Sequence, residues 1–476
     1  MVEYPLILTF MLSAISIFYA RRLVEQRRVN PSGLPYPPGP RGLPVLGNLF
    51  DINMSKPWLT YTAWRKKYGD IVHLTLLVED YIVISSVRVA GTLLGQRSSN
   101  YSDRLTPTFF GVDFLTVFLG YTKQWKVHRK LFNITLRSDI IIKHRDLYMR
   151  KAHELALKLI NDSEGPPTNL EEYFISDNIS RFSGSVIMAV TYGYEVTSRD
   201  GPLVARARKL TNIIMDDAPV ERAVLLTAFP LHGQVSFCRE LAAEVRDIPF
   251  NFVKEQRAAG TASHSMVFDF FENYSEGGID EEMEHIMRDI AASAFLDVQE
   301  RAQSEIDALV GKARLPGFEH QTALPYVGAI LRETLRWNPG VVLGIPHATT
   351  ERDTYNVMSR AAANDPDDAA CFNPNRYSTP DGKLCPEDAF TNSPSFGFGR
   401  RICAGRFFAE GSIWAAVVTM LATLSFTKAQ DLNGTEIDVN PEFTGVMVSH
   451  PKPFKCRVIR RSTNREKELR METGSD

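Results

Sequence analysis

Residues Phe396 to Gly405 read Phe-Gly-Phe-Gly-Arg-Arg-Ile-Cys-Ala-Gly, which sets Phe396, Gly399, Arg401, Cys403 and Gly405 at fixed spacing around one sulfur. An apolar, helix-like stretch, Arg406 to Leu424, follows at once. Glycines on both sides of a cysteine let the backbone turn tightly round it. A helix that begins just after it aims free N–H groups and a positive dipole end at the sulfur, which favours thiolate over thiol. A thiolate held in this way is a metal ligand or a nucleophile. The plainer alternative is a glycine-rich turn before a buried helix that happens to contain a cysteine. Five matched positions argue against it.

Three further sets of residues carry weaker signals. Glu333 and Arg336 are three apart, so both side chains lie on one helix face. Such a pair alone is usually an exposed ion pair worth little. Arg376 sits in Phe372-Asn373-Pro374-Asn375-Arg376-Tyr377, and Trp125 precedes Arg129 by four residues.

The elements that must position these groups are mostly helices. Apolar spacing predicts helices over Trp58–Tyr68, Leu147–Asn161, Ser180–Tyr192, Leu241–Gln256 and Val298–Val310. Strand-like runs occur at Ile71–Leu77 and Tyr81–Ser85 with an acidic turn between them. The fold class expected is mainly α with a small β region. Tyr4 to Ala20 is uncharged over 17 residues and is followed by Arg21, Arg22, Arg27 and Arg28. It reads as a membrane anchor, residues 1–22, with the bulk of the chain on the cytosolic side. A cleaved signal peptide is the weaker alternative, because Glu3 and no basic residue precedes the run. Residues 23–45 are a proline-rich linker, residues 46–460 one large domain, and residues 461–476 a polar tail expected to fray.

Composition bounds the partners. The 54 basic and 56 acidic side chains leave a net charge of −2, so nothing electrostatic argues for nucleic acid. Five scattered cysteines without a Cys-x-x-Cys pair suit a reducing compartment rather than a disulfide framework or a zinc ribbon.

The Phe-x-x-Gly-x-Arg-x-Cys-x-Gly segment resembles the signature of the cytochrome P-450 superfamily. The other pieces agree in order along the chain, from the anchor to Lys455. Ser449-His450-Pro451-Lys452-Pro453-Phe454 and Leu343-Gly344-Ile345-Pro346-His347 look most like fungal microsomal members. The resemblance implies heme b with iron ligated by Cys403, where a thiolate pushes electron density toward bound oxygen. It implies Phe396 beside the sulfur and Arg401 paired with a haem propionate. Arg129 would neutralise a propionate while Trp125 packs or donates its indole N–H. Glu333, Arg336 and Arg376 would form a buried structural network. Val341 to Pro346 would border a pocket whose apolar content suits an apolar small substrate. The implied activity is a haem-thiolate monooxygenase in the endoplasmic reticulum membrane, single-pass, fed with electrons from an NADPH-dependent flavoprotein reductase. Secondary metabolism or detoxification is the implied setting.

The resemblance breaks in two places. The family's central helix carries small residues, an acid and a threonine that relay protons to oxygen. Here Asp289-Ile290-Ala291-Ala292-Ser293-Ala294-Phe295 resembles the start of that helix and Leu296 onward resembles the next one. No proton-relay Asp or Thr is therefore identified as catalytic. A strand hairpin is also absent between Asn356 and Val357, and Ala218 to Cys238 matches poorly. A misjoined coding sequence and a shortened product compete as explanations. The void left by a missing central helix favours the first and predicts weak haem binding by the chain as written. Two rival functions are a haem-thiolate isomerase or dehydratase acting on peroxides, and a haem-binding protein without turnover.

Overall fold

The computed structural model describes residues 33–104 (apart from 55 and 78), 111–163, 171–194, 232–262, 309–349 (apart from 312, 338 and 342), 356–359, 374–379, 383–385, 389–428 and 456–474, with a few single positions between them. Among these residues the architecture is mainly helical with two small sheets. The longer helices are α1 (Pro57–Tyr68), α2 (Lys123–Thr135), α3 (Arg145–Ser163), α4 (Glu171–Tyr192), α5 (His232–Ala258), α6 (Pro325–Trp337), α7 (Arg406–Thr423) and α8 (Thr463–Thr473). Strands β1 (Ile71–Leu76) and β2 (Glu79–Ile84) pair antiparallel, and β3 (Asn356–Ser359) joins β2 in parallel. Strands β4 (Leu424–Lys428) and β5 (Cys456–Arg460) form a second antiparallel pair.

The centre of the molecule is α7. Gly411 to Thr423 is buried without interruption. A helix that is apolar on every side belongs inside a protein rather than on its surface. It packs on α3 through Phe408, Ala415, Ala416 and Met420. Its other side meets α6 through Ile413, Trp414, Val417 and Val418. Each such fully buried aliphatic side chain contributes about 1.5–3 kcal/mol. This burial fixes the direction of the helix, and so the place of its N-terminus beside Cys403.

β1 shows the alternation expected of a half-buried strand, with Val72, Leu74 and Leu76 inside. The acidic pair expected in the turn belongs to β2 instead. Asp80 is tied down by His73 Nε2 at 2.9 Å and by the Thr75 hydroxyl at 3.2 Å, so the strand starts at Glu79.

Three expectations are corrected or displaced. The proline-rich linker is part of the domain from Tyr36 onward. The Tyr36 ring stacks on His73 at 4.5 Å, and the His73 amide donates to the Pro38 carbonyl at 3.0 Å. Gly39 is required there, since a Cβ would stand 1.8 Å from the His73 carbonyl oxygen. The tail is not frayed either. Residues Thr463–Thr473 form α8, capped by the Ser462 hydroxyl and ended by Gly474 in the left-handed region. Its Arg465 is 1% exposed and donates to the carbonyls of Ala422 at 2.6 Å, Arg314 at 3.0 Å and Gly311. Leu469 lies in the core cluster shared with α3 and α7. Third, Asn356 and Val357, expected to flank a lost hairpin, lie in one strand opposite Tyr81 and Ile82.

The expected anchor, residues 1–22, the join at Phe295–Leu296 and most of the expected helix Val298–Val310 lie outside the described residues. Among the described residues no helix is long and apolar enough to cross a membrane.

Candidate functional site

The cysteine loop is closed by its own backbone. The Cys403 amide donates to the Phe396 carbonyl at 2.7 Å and the Ile402 amide to the Gly399 carbonyl at 3.2 Å. Gly399 has φ 57°, and a Cβ on it would lie 2.1 Å from the Leu94 carbonyl oxygen, so no other residue fits. Gly405 is the N-cap of α7 and offers no side chain to the first N–H groups of that helix. An ideal Cβ at Gly405 would stand 3.9 Å from the Cys403 sulfur, ordinary contact, so the glycine is not needed to clear it. That distance also locates the sulfur at the helix N-terminus, where a negative charge is favoured. Cys403 is exposed in the chain. The Phe396 ring packs 5.4 Å from that of Phe390.

Cations gather on one side of this loop. Arg401 donates from Nε to the Ser102 carbonyl at 2.7 Å and from Nη2 to the Leu119 carbonyl at 2.8 Å. Its guanidinium carbon lies 4.2 Å from the Trp125 ring centroid, while Nη1 is buried with no partner among the described residues. Burial pushes its pKa down to about 10, with Asp103 opposing and Arg129 adding to the effect. Arg129, one turn beyond Trp125 on α2, makes no hydrogen bond or ion pair among the described residues. Burial lowers its pKa, and the nearby Cys403 charge opposes that.

Two neighbours escaped the sequence reading. Arg104 Nη1 donates to the carbonyls of Ile345 and Pro346, each at 2.6 Å, and its Nε is buried without a partner among the described residues. Burial lowers its pKa well below the ordinary value, and Arg401 adds to that. His347 is 6% exposed, with Nδ1 2.7 Å from the Tyr101 carbonyl. Burial, then Arg104, hold its pKa well below 6.5, so the ring is neutral at pH 7.

Among the described residues, Asp103 is the one carboxylate beside the guanidinium groups of Arg401, Arg129 and Arg104, which leaves two of those positive charges unneutralised. Buried cations without counter-charge are costly, so an anionic group belongs among them. The two propionates of heme b would supply that charge. The orphaned Nη1 of Arg401 and Nε of Arg104 supply donors for carboxylate oxygens. By donor chemistry and by charge, the residues present fit the group.

On the far side of α6, Glu333 is fully buried. It accepts from Arg336 at 2.6 and 2.8 Å and from Arg376 at 3.3 Å. The Ser395 hydroxyl, one residue before Phe396, donates to the Leu335 carbonyl at 2.9 Å. The structure thus joins Glu333, Arg336 and Arg376 and ties their helix to the cysteine loop.

Among the described residues the chain is a mainly helical protein with a cluster of cations beside a cysteine at a helix N-terminus. The sequence model of the family Cytochrome P450 matches residues 37–269, 295–356 and 365–458, and the chain belongs to that family. It is similar to Cytochrome P450 monooxygenase 136 of Postia placenta, at 30% identity over 92% of this chain and 90% of the relative. It is also similar to Cytochrome P450 monooxygenase COX1 of Coprinopsis cinerea, at 28% over 94% and 96%. A third relative is Cytochrome P450 monooxygenase claR of Ampulloclitocybe clavipes, at 30% over 92% and 89%. The chain is accordingly a haem-thiolate monooxygenase, an oxidoreductase of this family, and nothing in the comparisons favours a protein without turnover.

The family match pauses over 270–294 and 357–364, next to both expected breaks. Ninety-two per cent of 476 residues is about 438, so about 55 of the 493 positions aligned with the first relative face no residue of this chain.

Proposed function

We propose that Cys403 is the thiolate ligand to haem iron and that Arg401, Arg129, Arg104 and His347, with Trp125 beneath Arg401, hold the propionates. Haem so bound supplies the activation of dioxygen, one atom of which enters an apolar small molecule. The observation that carries this reading is the excess of two positive charges, with orphaned donors, beside a cysteine at a helix N-terminus. Arg401 has two tasks in it. Its Nε and Nη2 stay on the protein backbone, which fixes the plane of the guanidinium, and Nη1 is left to meet a carboxylate. The Glu333 network holds the loop from behind and touches no reacting atom.

The reductase would dock over a cleft of about 650 Å³ lined by Trp125, Lys126, Lys130, Arg137, Arg406 and Phe407. Lys126, Lys130 and Arg137 are exposed and lie next to the Cys403 loop, a cationic surface suited to an acidic flavoprotein face. Arg400 contributes less to docking, since it is held by the Tyr121 hydroxyl. Residues 1–22 would anchor the chain in the endoplasmic reticulum membrane with the haem domain in the cytosol. The setting would be fungal secondary metabolism or detoxification, in line with the fungal relatives.

Incubation of the full chain with NADPH, a flavoprotein reductase, a panel of apolar small molecules and isotopically labelled dioxygen tests the activity. One labelled oxygen atom per product molecule is expected. NADPH consumption that yields only reduced oxygen species, with haem bound, would contradict it.

A further inference from the structure

Asp103 links three separate stretches of chain, its own to Tyr121 through the carboxylate and to Ala348 through the backbone. Asp103 Oδ1 accepts from the Tyr121 amide at 2.7 Å and from the Arg104 amide at 3.0 Å. The backbone of Asp103 pairs both ways with Ala348, at 3.0 and 2.8 Å. Its neighbours are the groups that hold the cations. Ser102, one residue before it, and Leu119, two residues before Tyr121, provide the carbonyls that receive Arg401. Ile345 and Pro346, just before His347 and Ala348, provide those that receive Arg104. The fit around the carboxylate is tight, since a Cβ on Gly120 would stand 2.9 Å from Asp103 Oδ1.

We propose that Asp103 is a positioning residue for the haem propionates, a node that sets the spacing of Arg401, Arg104 and His347 and supplies the negative charge that leaves the cradle at plus two. This rests on the reading that those cations hold the propionates. The Oδ1 of Asp103 is taken up by backbone amides, so its effect reaches the cofactor through the guanidiniums. With two propionates bound, three arginines and Asp103 sum to zero charge. Removing the Asp103 charge leaves one excess positive charge near the iron, which favours the reduced state.

Haem loss from the reconstituted full chain to excess apomyoglobin, and the ferric–ferrous midpoint potential, separate the two contributions. Asp103→Ala removes acceptor and charge, so release accelerates about tenfold or more, as expected for amides left without an acceptor. Asp103→Asn keeps an acceptor oxygen. Its release stays within about threefold of the parent chain while its potential rises. Gly120→Ala, which crowds Oδ1, accelerates release without removing the charge. Release from Asp103→Ala at the parent rate overturns the proposal, and so does an unchanged potential in Asp103→Asn. If Asp103→Ala does not fold, Asp103→Asn and Gly120→Ala still decide. Arg401→Gln reports on the underlying reading. Parent-like release from that variant sinks the propionate assignment and the proposal with it. Fast release from Arg401→Gln beside parent-like release from Asp103→Ala overturns the Asp103 role alone.

Discussion

The guanidinium of Arg401 sits over the indole of Trp125, 4.2 Å from the ring centroid, while its remaining nitrogen meets no partner among the described residues. A desolvated cation over an indole gains about 2 kcal/mol. Trp125→Ala should therefore weaken haem retention about tenfold or more, and Trp125→Phe by less. Haem transfer to a competing apoprotein checks this. Equal retention in all three chains would remove Trp125 from the site.

Glu333 is expected to act on stability rather than on catalysis. It is fully buried and joined to two arginines, so Glu333→Ala strands two partly buried cations. Loss of one member of a buried network costs about 3–5 kcal/mol. Denaturant unfolding of the parent and variant measures it. A loss below about 1 kcal/mol would mean that the arginines find other partners.

Gly399→Ala should abolish haem incorporation. The added methyl meets the Leu94 carbonyl oxygen at 2.1 Å in a backbone conformation that disfavours any side chain. The haem-to-protein ratio of purified material reads the effect. A full complement of haem in this variant would show that the loop tolerates a shift.

Acid should destabilise the fold through His153 on α3. The side chain is 7% exposed, and burial lowers its pKa, with Glu472 of α8 opposing. The unfolded chain takes up this proton near pH 6.5 and the folded chain only below that. Stability from His153 is complete above about pH 6.5 and falls below it, by up to about 1.4 kcal/mol per pH unit. His153→Gln should flatten the acid limb of the unfolding midpoint against pH. An identical limb in the variant would assign the acid sensitivity elsewhere.

The parts of the site that could be read from the sequence are local. The cysteine loop and α7 are contiguous, and the Glu333–Arg336 and Trp125–Arg129 pairs each lie within one helical turn. Arg104 and His347 were not legible. Arg104 meets the carbonyl of Ile345 from 241 residues away, and His347 that of Tyr101 from 246. No short-range pattern encodes such contacts. The Asp103 node joins three stretches for the same reason. The α8 helix was a different kind of miss. Ser462 before it and Gly474 after it are ordinary helix caps. The charged residues between them suggested solvent, whereas Arg465 satisfies its donors on backbone carbonyls inside the protein. The proline-rich strap likewise reads as a spacer until His73 and Asp80 are seen to hold it.

Everything turns on Cys403 as ligand to the iron. The decisive comparison is the carbon-monoxide difference spectrum of the reduced full chain beside its Cys403→Ser variant. A thiolate-type Soret band in the parent chain, even a weak one, that disappears in Cys403→Ser is the expected result. A band that survives the substitution, or a haem-loaded parent chain without it, would contradict the assignment.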